Sequence, residues 1–196
     1  MLLIAGCGSG SHSSTPAPST PRAPENLQPP STSLDPTRHW TLTFATDRGT
    51  FFVTLEPHVS PHATASLVAL ARRGYFDNTI FHRIVPGYII QGGDPTQSGR
   101  GGPGYTTVDT PSADTHYLKG IVAMGKTAIE PRGAGGSQFF VMTADAPSLP
   151  PDYAVVGRVT RGIGVVERIA ELGDPNDAGG TPTETVVVEH VTAASR

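Results

Sequence analysis

The sequence predicts a mainly β protein: a closed antiparallel barrel of about eight strands capped by two α-helices. Three observations predict it. Short runs of alternating apolar residues recur from His39 onward. Only two stretches carry a helical period. The 196 residues include 23 Gly and 19 Pro, which punctuate the runs as turns would. No repeat of solenoid period is visible.

The first two strands read clearly. "HWTLTFAT" alternates Trp40, Leu42 and Phe44, and "TFFVTLEP" alternates Phe51, Val53 and Leu55. Period two marks a half-buried strand. Asp47-Arg48-Gly49 between them suits a hairpin turn, with Gly49 free to take positive φ. "SPHATASLVALARRGYF" follows as a helix. Ser60 is placed to cap it and Pro61 fits its first position. Ala63, Leu67, Leu70 and Ala71 form its apolar stripe, and Gly74 ends it. Further strand-like runs fall near residues 80–91, 121–124, 138–143, 153–159 and 185–192. "GIGVVERIAEL" is the second helix, with Val165, Val166, Ile169 and Leu172 on one face.

Before this domain, expected over residues 38–193, the composition is different. Ser, Thr and Pro dominate residues 8–37, where only Leu27 and Leu34 are large and apolar. Such a segment buries too little surface to offset chain entropy and reads as a disordered tether. It would span about 30 Å when flexible and about 90 Å as polyproline II. Residues 1–7, "MLLIAGC", look like the end of a secretory signal. Ile4-Ala5-Gly6-Cys7 resembles a bacterial lipobox, which implies a lipid on Cys7 and export to the outer face of the cytoplasmic membrane. A cytoplasmic protein is the alternative, if Met1 is the true start and no signal lies upstream.

Charge and motifs exclude several classes. The net charge of −3 gives no electrostatic reason to expect nucleic acid. One cysteine cannot make a disulfide within the chain. Without a membrane-spanning run, membrane contact is expected only through Cys7. "GRGGPG", Gly99 to Gly104, matches a dinucleotide pattern in letters alone, because no helix follows it to face a phosphate. His58 and His62 have a metal spacing but lack a third ligand, and read as solvated surface histidines. His82 beside Arg83 reads as a satisfied barrel histidine. Ser137 in "GGSQFF" lacks the second glycine of a nucleophile elbow. No metal and no cofactor are expected.

What remains is the set "FHRIVPGYIIQGGD", "LKGIVAMG", "GGSQFFVMT" and "SLPPDYAVVGRV", in that order. These motifs resemble the cyclophilins, peptidyl-prolyl cis/trans isomerases, in their short bacterial form. The resemblance covers roughly His39 to Val191. It implies the cyclophilin barrel, no cofactor, a monomer, and proline-containing polypeptides as substrates, here exported proteins during folding. Carried over residue by residue, it implies Arg83 and Gln91 as catalytic. It implies Tyr88, Ile89, Met124, Gly125, Gln138, Phe140, Leu149 and Tyr153 as substrate-binding. Tyr88 stands where the family usually has Phe, and Ile89 where it often has Met. "MGKTAIEPRGAGGSQFF" departs from the family pattern by Gly125, Lys126 and three extra residues, beside the channel for residues preceding proline. Ser148 replaces a frequent aromatic.

These residue types suit the reaction. Prolyl isomerisation breaks no covalent bond; its barrier is the amide's partial double bond, about 18–20 kcal/mol. No acid/base pair is required. A dry apolar pocket and a fixed donor near the prolyl nitrogen suffice, because the twisted amide gains a lone pair there. Arg83 is always charged and carries five donors, and Gln91 is expected to orient its fork. Ile84, Val85 and Ile90 are expected in the barrel interior. The alternative is a catalytically weak module that only binds proline peptides.

Overall fold

The computed structural model describes residues 20–196 except 24 and 32. Cys7, the lipobox-like segment and residues 8–19 of the expected tether lie outside the described residues.

Strands β1 (Trp40–Thr46) and β2 (Gly49–Leu55) form the expected hairpin, with Thr46 opposite Gly49 and a two-residue loop between. Gly49 takes φ +119°. Phe44 and Phe51 face the same side and stack with ring centroids 4.8 Å apart. Helix α1 (Pro61–Arg72) follows. Its start corrects one expectation. The Ser60 hydroxyl makes no cap; it donates instead to the Val155 carbonyl at 2.6 Å. The cap comes from Asp109, whose buried carboxylate accepts the amides of His62 (3.3 Å) and Ala63 (2.7 Å). The His62 ring also meets that carboxylate, 2.7 Å from Nδ1, so His62 is a partnered surface residue. At the other end, amides of Gly74 and Tyr75 bond Ala71 and Leu70 in a Schellman turn.

The chain then lays down β3 (Thr79–Ile80), β4 (Arg83–Val85), β5 (Ile89–Gly92), β6 (Thr107–Val108), β7 (Ile121–Met124), β8 (Ala134–Gly135), β9 (Phe139–Met142) and β10 (Val155–Arg161). Helix α2 (Ile163–Ala170) and strand β11 (Val187–Ser195) complete it. Nine strands make one antiparallel sheet in the order β3-β11-β1-β2-β10-β7-β9-β5-β4, and β6 pairs with β8 in a separate ribbon. The mainly β class with two helices is as predicted. Closure differs in kind. No ladder joins β3 to β4 among the described residues; these edges are consecutive in the chain, linked through Phe81 and His82. The curled sheet encloses a core of Phe44, Phe51, Phe76, Phe81 and Phe139 with aliphatic neighbours.

Part of the expected tether lies against the domain. The Arg22 amide donates to the Pro95 carbonyl (2.9 Å) and the Leu27 amide to that of Pro103 (2.7 Å). Leu27 and Leu34 pack on the core, and Trp40 Nε1 donates to the Asp35 carbonyl. Composition hides this strap because two leucines are few on average, yet each partly buries its side chain and the backbone bonds add direction.

Candidate active site

Strand alternation sorts the opening motif onto two faces. Ile84 and Ile90 point into the barrel core. Arg83, Val85, Ile89 and Gln91 fall on the outer face. Register then aligns the site: Arg83 opposes Gln91, Gln91 opposes Phe140, and Phe140 opposes Ala123. Directly opposed residues share a face, so a donor pair and an aromatic ring stand in one row across β4, β5, β9 and β7.

Beside that row lies a second apolar cluster, built on the outside of the sheet. Ile89, Phe140, Tyr117 and Met142 form its buried base, with Val85, Tyr88, Leu149 and Tyr153 packed on it partly exposed. The Tyr153 ring meets Phe140 edge-on, centroids 5.3 Å apart. Tyr117 locks this wall: its hydroxyl donates to the Tyr153 carbonyl (2.8 Å) and accepts the Tyr153 amide (2.9 Å). Burial pushes the Tyr117 phenol above its ordinary pKa, so it stays a neutral donor. Two expectations change here. Val85 belongs to this outer cluster, not the barrel interior. Met124 does not line the site; it is fully buried in the barrel core opposite Phe139. Alternation forces this, since the outward neighbour on β7 is Ala123.

Arg83 is held differently from what the sequence suggests. Its Nε donates to the Gly179 carbonyl at 3.0 Å. Its terminal nitrogens have no partner among the described residues. Gln91 does not grip the fork. Its Nε2 donates to Gln138 Oε1 (3.0 Å), and Gln138 Nε2 donates to the Gly101 carbonyl (3.0 Å). Gly125 bonds the Gln138 backbone, and a Cβ there would stand 3.4 Å from Gln91 Nε2. Gln91, Gln138 and Gly125 thus form the junction between the apolar cluster and a groove of about 900 Å³.

Loops build that groove. One wall is the glycine-rich segment after Asp94, a loop with no helix behind it, which removes the phosphate reading of "GRGGPG". Asp94 is fully buried and accepts from Thr96 N (2.7 Å), Thr96 Oγ1 (2.8 Å) and Gly101 N (3.0 Å). Burial opposes its charge, but these hydrogen bonds prevail and hold the carboxyl below its usual range. The opposite wall carries the three extra residues, where Ile129 is 96% exposed. Lys126 secures that wall. Its ammonium pairs with Asp152 at 2.9 Å, bonds the Glu130 carbonyl and lies 5.7 Å from the Tyr153 ring centre. Glu25 of the strap also lines the groove. Tyr117, Gly179 and Glu25 escape sequence reading because each acts across a long sequence gap with no motif of its own.

His82 sits under the glycine-rich wall. Both ring nitrogens are buried without a hydrogen-bond partner among the described residues, against the expectation of a satisfied ring. Burial lowers its pKa, partly offset by the Asp94 charge and by the polar side chain of nearby Gln138, and reinforced by Arg83.

A model of the family "Cyclophilin type peptidyl-prolyl cis-trans isomerase/CLD" matches residues 41–193. The chain belongs to the cyclophilin family. A peptidyl-prolyl cis-trans isomerase of Arabidopsis thaliana is 38% identical over 139 residues, 69% of this chain and 83% of that one. Peptidyl-prolyl cis-trans isomerase A of Mycobacterium tuberculosis is 32% identical over 170 residues, 78% of this cyclophilin and 91% of its own length. In structure, a Cryptosporidium parvum cyclophilin-type isomerase crystallised in the presence of the dipeptide Ala-Pro superposes with a TM-score of 0.71 at 28% identity. That alignment covers 80% of this chain and 99% of the other. The strap lies outside residues 41–193, which the family model matches.

Proposed function

We propose that this cyclophilin isomerises X-Pro bonds of proline-containing polypeptides at the row Arg83–Gln91–Phe140, and that its clients are exported proteins. The observation that carries the reading is an Arg83 fork whose terminal nitrogens have no partner among the described residues, set in register beside an apolar platform with a buried base and a half-buried rim. The proline ring rests on Phe140, Ile89 and Leu149, between Tyr88 and Tyr153. Arg83 supplies donors to the proline carbonyl and to the nitrogen as it becomes pyramidal. That nitrogen is a poor acceptor in the planar ground state, so the interaction grows toward the transition state and lowers the barrier. Gln91, fixed by Gln138, anchors substrate backbone at the junction with the groove. Residues preceding proline run into the groove past Gly125. No proton moves, and no metal or cofactor takes part.

A protease-coupled assay on a short X-Pro peptide tests this. Acceleration that survives dialysis against EDTA is expected. Saturable peptide binding with no gain in rate would instead identify a binding module. The cellular setting rests on the lipobox-like Ile4–Cys7 and the Ser/Thr/Pro-rich segment after it. They support a lipid on Cys7 and a place on the outer face of the cytoplasmic membrane. Metabolic labelling with an alkyne fatty acid checks it: label on the protein that disappears in Cys7→Ala is expected, and an unlabelled, soluble protein refutes it.

A further inference from the structure

The guanidinium of Arg83 owes its one bond to a turn that no motif marked. After α2 the chain folds back on itself: Asp174 N bonds the Thr181 carbonyl and Thr183 N that of Leu172. Within this loop Asp177 is the hub. Its Oδ1 accepts the Gly179 amide at 2.8 Å, and its Oδ2 accepts both the amide (3.0 Å) and the hydroxyl of Thr181. The Gly180 amide bonds the Asp177 carbonyl at 3.0 Å. The turn so fixed then grips β4 twice. Gly180 O accepts the Ile84 amide at 2.7 Å, and Gly179 O accepts Arg83 Nε at 3.0 Å. Contact is close enough to exclude a side chain. A Cβ on Gly180, which has φ +84°, would stand 2.7 Å from Val85 Cγ2 and 2.9 Å from Arg83 Cγ. Hydrogen bonds from the Thr181 side chain, then from the Gly179 and Thr181 amides, hold the Asp177 carboxyl below its usual range. It is therefore ionised, and a strong acceptor, at neutral pH.

We infer that Asp177 is a positioning residue for the isomerase: it fixes the Gly179–Gly180 carbonyls so that Arg83 is tied through Nε and keeps its terminal nitrogens for the substrate. A long arginine stem at a sheet edge otherwise samples several rotamers. One anchored Nε removes that freedom before the peptide arrives, and leaves the other donors free. Small misplacements matter here, since about 1 Å can cost about 10²-fold in rate.

The inference rests on the proposed role of Arg83, and a double-mutant cycle separates the two. The rates to compare are kcat and KM of wild type, Asp177→Ala, Arg83→Ala and the double variant on one X-Pro peptide. Asp177→Ala is expected to lower kcat by about tenfold, less than the 10²-fold limit, with KM unchanged because the apolar platform is intact. In the Arg83→Ala background the same substitution should cost nothing further, since neighbours acting through one group are not additive. Equal losses in both backgrounds would mean that Asp177 merely supports the fold, and would overturn the inference. An Arg83→Ala enzyme with full turnover would defeat the catalytic reading itself, whatever Asp177 does. If Asp177→Ala does not fold, Thr181→Val removes only one hydroxyl from the hub and takes its place in the cycle. A smaller loss that vanishes without Arg83 is then expected, and one that persists refutes the proposal.

Discussion

The two halves of the site are held in place by different means. The proline half stands on strands, where register sets Arg83, Gln91 and Phe140 in a row and shifting one would shift the ladder. The groove half is made largely of loops, each tied down by a buried charge: Asp94 on one side, Lys126 on the other. Ladders are cooperative and tolerate little variation, whereas a loop around one charge can change length and residues and still close. On the proposed reading, the chemistry sits on the first kind of support. The surface proposed to meet the rest of the substrate sits on the second, where the sequence is expected to depart from the family pattern, at Gly125, Lys126 and the three extra residues.

The largest effect should come from cutting the strand half at its base. Phe140 is 4% exposed and packs against Tyr117 and Tyr153. Phe140→Ala should cost roughly 3–5 kcal/mol of stability and weaken peptide binding as well. Urea unfolding checks the first and KM the second. Unchanged stability would show that the outer cluster is not a packed core.

Arg83→Ala comes next and should divide chemistry from folding. Losing one preorganised donor costs about 2.7–4 kcal/mol of transition-state stabilisation, or 10²–10³ in kcat. The thermal midpoint should move little, because the guanidinium makes one hydrogen bond to the fold. A variant that unfolds early but turns over normally would reverse the assignment.

Acid should open the groove half first. His82 has a lowered folded pKa, mainly from burial, so the unfolded chain binds a proton before the folded one does. Stability is therefore full above the ordinary histidine value of 6.5 and falls as pH drops below it. Asp94, also lowered, acts in a separate window: its contribution is present above the ordinary carboxyl value of 3.8 and is lost below it. Unfolding free energies measured between about pH 7.5 and 5, a range that spans the histidine pKa, should slope with pH in wild type and flatten in His82→Leu. The same slope in both would assign the titration to another histidine.

The contrast between the halves also explains what the sequence could reveal. Alternation announced β1 and β2, and the motifs that named Arg83, Gln91 and Phe140 named residues that register sets in one row, because local pattern and register are both short-range. Met124 was carried over with its motif as a site residue, although on β7 it faces the barrel core and its neighbour Ala123 faces outward. Ser60 has the chemistry of a cap, but Asp109 arrives from a distant loop and takes the role. Asp177 carries no signature beyond a Gly-rich turn; only the docking of that turn on β4 gives it meaning. The strap is hidden for a similar reason, since its bonds to Pro95 and Pro103 are between backbones.

The smallest predicted effect tests whether the strap belongs to the groove. Glu25 lines it and makes no hydrogen bond or ion pair among the described residues. Its chain position is secured on both sides, by the Arg22 and Leu27 amides. Packing there is tight: a Cβ on Gly104 would fall 2.9 Å from the Glu25 carbonyl oxygen. A carboxylate in that place should favour peptides with a lysine ahead of the X-Pro bond over those with a glutamate. Arg100 lines the same groove and acts in the opposite sense, so the absolute preference depends on both. The change on removing one charge has a definite sign. Glu25→Gln should lower the ratio of kcat/KM for lysine over glutamate peptides by about 1.4- to 5-fold, the range of an exposed ion pair at 0.2–1 kcal/mol. Added salt should shrink the difference, because the charges face solvent. An alanine peptide should be turned over equally by both proteins, which separates charge from damage to the wall. If the lysine-to-glutamate ratio is the same in both proteins at low salt, Glu25 does not face the substrate and the strap is not part of the site.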